Sequence, residues 1–417
     1  MGGTEGMDGT EGMDRIEEMD GTEGMDEIDG MEGMEGKRDR MKNGMIQGAE
    51  HGMIHGMDIS SMDEVVRCGG KFYDGGQENG LLEILTSYGV NYIRLRLWLD
   101  PCSGDGKPYG AGGNDLEVTV KLAKQVKEAG LRYLLDFQYS DFWADPGKQI
   151  KPKAWKDYGE KELEAAVYAY TRDTLLTLKE HGCLPDMVQV GNEITNGMLW
   201  PEGKKPAYDQ IVRFVNAGIR GVREVGKSIP VMLHLDHGND QEMYQDWFDN
   251  YLKRGGEDFE VIGMSYYPVW NGNIQGLVDN MNMLAVRYGK PMVVVEVSQP
   301  FTLEDYAEYE GLAQEQRKGY AAKPSLAREL EYPATAEGQC AFMERLIREV
   351  AAVKDGLGMG YFYWEPAWLP VKGSGWATPE SLEYMNDPGP CGNEWANQAL
   401  FDYNGNALPA LGAIAGR

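Results

Sequence analysis

Short apolar runs closed by turn residues recur along the chain from Met53 onward, and stretches of helical periodicity separate them. The runs are Met53–Ile59, Val90–Trp98, Leu131–Phe137, Asp186–Val190, Ile229–Leu235, Phe259–Tyr266, Met292–Val297 and Met359–Trp364. Continuous apolar character over so short a span predicts strands covered on both faces. The amphipathic stretches predict helices over Asp115–Ala129, with Asn114 as N-cap, and over Glu160–His181, Tyr208–Val225, Gln241–Arg254, Ile274–Tyr288 and Ala336–Lys354. A glycine follows nearly every helix (Gly89, Gly130, Gly182, Gly226, Gly255, Gly289, Gly356), where a left-handed residue closes the last turn. The repeated order of helix, glycine and apolar strand is that of βα units. Eight such strands predict an α/β fold, a (β/α)8 TIM barrel with long loops at its C-terminal face. A doubly wound open sheet is the alternative, but no Gly-x-Gly-x-x-Gly or phosphate loop opens a helix.

Two of these strands end in carboxylates. Asp186–Val190 runs into Gly191, Asn192 and Glu193, and the Met292 run ends in Glu296. Carboxylates at the mouths of two strands of one barrel suit glycosidic bond cleavage. A helix-start carboxylate is the plain alternative for Asn192-Glu193. In Val90–Trp98, Arg94, Arg96 and Trp98 alternate with Ile93, Leu95 and Leu97, so the polar set shares one face. Arginines inside a barrel need partners; a surface edge strand is the other reading. The loops after strands hold Asp141, Phe142, Trp143, Asp145 and Trp155 in one stretch and Trp368 and Trp376 in another. Aromatic and acidic residues at one rim suit sugar binding, although such tryptophans also pack loops on themselves.

The first 48 residues form a separate region. Met recurs at 1, 7, 13, 19, 25 and 31 among Gly, Glu and Asp, a period of six that fits neither helix nor strand. This composition predicts a disordered acidic tail before a catalytic domain over 49–417. The formal net charge of -27 disfavours nucleic acid and anionic membranes as partners and leaves a neutral polysaccharide unaffected. Five scattered cysteines without a Cys/His cluster predict no zinc site. No apolar run is long enough to span a membrane, and no signal peptide is visible, so as it stands the chain reads as cytoplasmic.

Several longer segments carry a specific resemblance. Tyr92-Ile-Arg-Leu-Arg-Leu-Trp98, Asp136-Phe-Gln-Tyr-Ser-Asp-Phe-Trp-Ala-Asp-Pro146, Val190-Gly-Asn-Glu-Ile194, Ile262-Gly-Met-Ser-Tyr-Tyr-Pro268, Tyr361-Phe-Tyr-Trp-Glu-Pro-Ala-Trp368 and Trp395-Ala-Asn-Gln-Ala-Leu-Phe-Asp402 resemble glycoside hydrolase family 53, the arabinogalactan endo-β-1,4-galactanases. The resemblance covers roughly residues 53 to 412. It implies the same barrel, retention of anomeric configuration, Glu193 as acid/base and Glu296 as nucleophile. It makes Arg94, Arg96, Trp98, Asp136, Trp143, Asn192, His234, Tyr266 and Trp364 the candidate substrate-binding residues. Among them Trp364 is the sugar platform, and Arg94 or Arg96 together with Tyr266 supports the nucleophile. No cofactor is implied, and the chain is expected to act as a monomer.

Three departures from the family pattern stand out. Gln138 replaces the usual histidine, Val297-Ser-Gln-Pro300 follows the nucleophile, and the residues after Thr302-Leu-Glu-Asp305 lack the spacing of a calcium loop. Another β-1,4-glycanase, such as a mannanase or xylanase, shares the glutamate pair and remains an alternative. So does a non-catalytic galactan-binding protein on the same scaffold.

Overall fold

All eight apolar runs become parallel strands in a computed structural model that describes residues 52–306, 327–328 and 330–416. They are β1 (Ile54–Asp58), β2 (Tyr92–Leu97), β3 (Arg132–Phe137), β4 (Met187–Val190), β5 (Val231–Leu235), β6 (Val261–Tyr266), β7 (Met292–Val297) and β8 (Gly358–Trp364). Each bonds its neighbour in sequence, and β8 bonds β1 to close the barrel. Closure leaves no edge, so the edge-strand reading of Val90–Trp98 is overturned: Arg94 and Arg96 are both 1% exposed. The acidic repeat over residues 1–48 and most of the stretch after Asp305 lie outside the described residues.

The main helices between strands are α1 (Leu81–Ser87), α2 (Leu116–Glu128), α3 (Glu160–Glu180), α4 (Tyr208–Val225), α5 (Gln241–Lys253), α6 (Ile274–Tyr288) and α7 (Ala336–Ala351), and α8 (Ala410–Ile414) follows the last strand. Two details differ from the sequence pattern. The N-cap of α2 is Asp115, whose carboxylate accepts from Val118 N at 2.8 Å, while Asn114 turns inward and donates to Ser60 O. Gly226 ends α4 in an extended conformation, with Ile229 packed where a Cβ would stand, whereas the other six helix-ending glycines are left-handed.

The barrel interior is layered because each strand alternates. Ile54, Tyr92, Leu134, Met187, Met232, Val261, Val293 and Phe362 form an apolar plug in the lower half. Two residues further along the same strands stand Arg94, Asp136, Gln189 and His234, all buried. The plug thus closes the polar layer from below, and the layer opens toward the C-terminal mouth.

Strand β7 breaks this alternation. Val293 and Val295 both belong to the plug, so strict period two would turn Glu296 outward toward the helices. Instead β7 carries an extra residue: Met264 pairs with Val294, and the next residue, Ser265, pairs with Glu296. The same slip appears against β8, where Tyr361 pairs with Val294 and Tyr363 with Val297. This β-bulge re-aims Glu296 into the barrel mouth.

The ring of Phe362 lies against Gly56, where an added Cβ would come within 2.3 Å, so the plug has no slack. Phe362→Ala is therefore expected to destabilise the barrel by about 3–5 kcal/mol through the cavity it leaves. Chemical denaturation checks this, and a loss below about 1 kcal/mol would show that the plug repacks.

Candidate active site

Arg94 is the centre of the polar layer. Its Nη1 donates to Asp58 Oδ2 at 2.9 Å and Glu296 Oε1 at 2.8 Å; its Nη2 donates to Asp136 Oδ2 at 2.9 Å and Asn192 Oδ1 at 2.8 Å. Nε reaches Gln189 Oε1 at 3.3 Å. A buried guanidinium with its donors so engaged fixes five side chains from four strands and their ends at once. Arg96, one layer up, pairs with Glu365 and lies 3.7 Å from Asp58. Its guanidinium sits 4.4 Å from the centre of the Trp143 ring.

Glu296 has two supports, Arg94 and the Tyr267 hydroxyl, which donates to Oε2 at 2.9 Å. Tyr266, the residue expected in that role, is not there. Its hydroxyl donates to Gly272 O and its ring stacks on Phe342 of α7, outside the barrel. The cause is the strand period: Ser265 faces in with Glu296, Tyr266 faces out with Val297, and Tyr267 faces in again.

Glu193 stands just past β4 in the left-handed conformation, φ 47° and ψ 49°. Its carboxyl accepts from Ser265 Oγ at 2.6 Å, and Ser265 Oγ lies 2.8 Å from His234 Nε2. Glu193 and Glu296 line one cleft of about 530 Å³, with Trp143, Trp270, Trp364, Trp376 and Trp395 around it. Arg94, Arg96 and Asn192 also reach this cleft. Trp98, Asp136 and His234 do not. Asp136 and His234 lie beneath its floor, where His234 spans Asn192 and Ser265, while Trp98 packs behind the wall against Phe142 and Trp143 and its Nε1 donates to Gln138; all three are buried and brace residues that line the cleft.

The two glutamates differ electrostatically. Burial pushes the Glu193 carboxyl well above the usual carboxylate range, and the negative Glu296, Asp236 and Asp145 push the same way. Burial also raises Glu296, but Arg94 and the Tyr267 hydrogen bond oppose it. Asp136 and Glu365 are both pushed up to about 7, chiefly by burial. His234 is held well below its ordinary value by burial and by Arg94, and is neutral.

Residues 54–414 match the model of glycosyl hydrolase family 53. The chain belongs to this family. An endo-β-1,4-galactanase of Bacillus subtilis (strain 168) is 34% identical over 387 residues, which cover 88% of this chain and 86% of that protein. An uncharacterised protein of Niallia circulans is 42% identical over 374 residues, covering 88% and 94%. The solved catalytic domain of the family 53 protein from Ignisphaera aggregans superposes with a TM-score of 0.79 at 38% identity, covering 87% and 95%.

Against the usual family 53 pattern, the two glutamine departures do different things. Gln138 lines the cleft, accepts from Trp98 Nε1 at 2.8 Å and Ala144 N at 3.1 Å, and donates to Asp136 at 3.2 Å. It is a neutral brace that cannot change charge. Gln299 is away from the cleft, fully buried, and donates to Tyr332 O. Sequence reasoning missed Asp58, Gln189, Ser265, Tyr267, Trp270 and Glu365 as parts of the site. The required pairing of two buried arginines was the signal for Asp58 and Glu365, and period two along β6 was the signal for Ser265 and Tyr267.

Tyr267→Phe removes a donor to a buried carboxylate and is expected to lower turnover by about tenfold or more. Tyr266→Phe is expected to leave turnover within about twofold, because that hydroxyl serves only a local backbone carbonyl. Steady-state kinetics of the two variants would refute this assignment if their effects were exchanged.

Proposed function

We propose that this protein is an endo-acting, retaining β-1,4-galactanase. The observation that carries the reading is the inequality of two carboxyls in one aromatic-lined cleft: Glu296 is bonded to a guanidinium and a phenol, while Glu193 has no cationic partner among its hydrogen bonds. A nucleophile must be ionised, and a general acid must hold its proton. Glu296 attacks the anomeric carbon as the glycosidic bond breaks, and Glu193 gives its proton to the departing oxygen. Glu193 then takes a proton from the water that displaces Glu296. Trp364 provides an apolar face at the cleavage point, with Trp143 at 6.2 Å and Trp395 at 6.0 Å between ring centres.

The galactan assignment is supported by family membership and by the name that the Bacillus subtilis relative carries. Both glutamates face the same cleft, which favours an enzyme over a binding protein on the scaffold. Reducing-sugar release is expected from β-1,4-galactan in preference to mannan, xylan and carboxymethylcellulose; preference for any of the last three sinks the substrate claim. Glu296→Ala should abolish turnover. Glu193→Ala should still form the glycosyl-enzyme from an aryl galactobioside with an activated leaving group, and azide should restore its turnover. Azide rescue of Glu296→Ala instead would reverse the two roles.

The pH dependence follows from the same inequality. Turnover falls toward acid as Glu296 takes up a proton, and toward alkali as Glu193 loses one. Burial raises both carboxyls, so both limbs of kcat/KM should lie above the ordinary glutamate value of about 4.3. An acid limb at or below that value would contradict the buried environment of Glu296.

A further inference from the structure

His234 meets Glu193 at two points. The backbone N–H of Glu193 donates to His234 Nδ1 at 3.4 Å. At the other end of the same residue, the carboxyl accepts from Ser265 Oγ at 2.6 Å, and Ser265 Oγ lies 2.8 Å from His234 Nε2. We propose that His234, acting through Ser265, is a positioning residue that clamps Glu193 in its left-handed conformation and directs a chain of hydrogen bonds at its carboxyl. The proposal rests on Glu193 being the acid/base.

The direction of the chain follows from counting protons. His234 is fully buried beside Arg94 and neutral, so it carries one N–H. Two donors meet Nδ1: the Glu193 amide and Gln189 Nε2 at 3.1 Å. Gln189 is oriented unambiguously, because its Oε1 accepts from Arg94 Nε and its Nε2 donates to Asp136 at 2.6 Å. Asn192 Oδ1 is 2.9 Å from Nδ1, but it already accepts from Arg94 Nη2 at 2.8 Å, and the two hydrogens of Gln189 Nε2 are taken by Asp136 and Nδ1. Nδ1 is therefore the acceptor and the proton sits on Nε2. From there it is donated to Ser265 Oγ, and the serine hydrogen is left for Glu193 Oε1. Each bond in such a chain strengthens the next in a low-dielectric site.

The chain works on the ionised form of Glu193. Burial, Glu296 from β7, Asp236 at the end of β5 and Asp145 from the loop after β3 all favour the protonated acid. Tyr244 of α5, whose hydroxyl donates to Leu235 O, is a neutral neighbour. The Ser265 hydrogen bond works against them by stabilising the carboxylate. The first chemical step needs the proton, and the second needs the base that accepts one from water. The clamp should therefore matter most in the second step.

Ser265→Ala removes the last donor of the chain with the smallest change in shape. The alkaline limb of kcat/KM on galactan is expected to move up by about one pH unit, the scale of one hydrogen bond to a charged group. With a dinitrophenyl galactobioside, the deglycosylation-limited kcat should fall about tenfold while kcat/KM changes by less than about twofold. Ser265→Thr, which keeps the hydroxyl, should restore both. His234→Ala should reproduce the Ser265→Ala pattern, and nitrogen NMR of ring-labelled histidine should show His234 protonated on Nε2. An unmoved alkaline limb in Ser265→Ala, an equal fall in both steps, or a proton on Nδ1 would overturn the proposal. Failure of azide to rescue Glu193→Ala would instead overturn the acid/base assignment, and is read on a different variant.

Discussion

The guanidinium of Arg94, buried in the middle of a closed barrel, is the constraint on which the site depends. An unpaired cation there would cost more than the fold can sustain, so its partners must be in place for the chain to fold at all. Those partners come from β1 (Asp58), β3 (Asp136), β4 and the turn after it (Gln189, Asn192), and β7 (Glu296). Satisfying one arginine therefore sets the heights of several strands relative to each other. It also delivers one oxygen of Glu296 to a fixed point at the mouth, since a bond at 2.8 Å to a rigid planar group leaves little freedom. The catalytic geometry is in this sense a by-product of pairing a buried charge.

Glu296 reaches that point only because β7 is irregular. Arg94 has the right height on β2 without any defect, being two residues above Tyr92 of the plug. Glu296 is three residues above Val293, an odd step, and the bulge around Val295 absorbs the difference. The apolar plug and the arginine pull the strand toward different faces, and the extra residue lets both be satisfied.

This explains what the sequence made legible. The eight strands, the order of helices and the mouth position of both glutamates follow from apolar runs, 3.6-residue periodicity and turn residues, which are local signals. The shared face of Arg94 and Arg96 follows from alternation along one strand. Which acids pair with those arginines does not: Asp58 stands opposite Arg94 on the adjacent strand β1, and Glu365 follows β8, which reaches β1 only when the barrel closes. Tyr266 was the natural residue to choose from Ser-Tyr-Tyr, since it ends the strand. The choice between neighbouring tyrosines depends on the phase of β6: Val261 of the plug and Ser265, four residues on, share the inward face, so Tyr266 turns out and Tyr267 turns in, and the bulge on β7 brings Glu296 level with Ser265. His234 is on the inward face but one layer below the cleft, and Trp98 is at rim height but covered by Phe142 and Trp143: periodicity gives a face, and only packing decides what covers it.

Charge balance within the mouth shows why the two carboxyls behave differently although both are glutamates. Asp58, Asp136, Glu296 and Glu365 share the two guanidiniums of Arg94 and Arg96, and Glu193 is outside that set. Burial first, and the neighbouring acids second, push Asp136 and Glu365 up to about 7 against the pull of the two arginines. Which acid stays ionised is decided by contact: the Glu296 carboxyl bonds to a guanidinium, and the Glu193 carboxyl bonds to the neutral hydroxyl of Ser265. A second cation near Glu193 would stabilise its carboxylate and remove the proton that the first step consumes. The neutral pair Ser265 and His234 avoids this, because it supplies a hydrogen bond to Glu193 without supplying a charge.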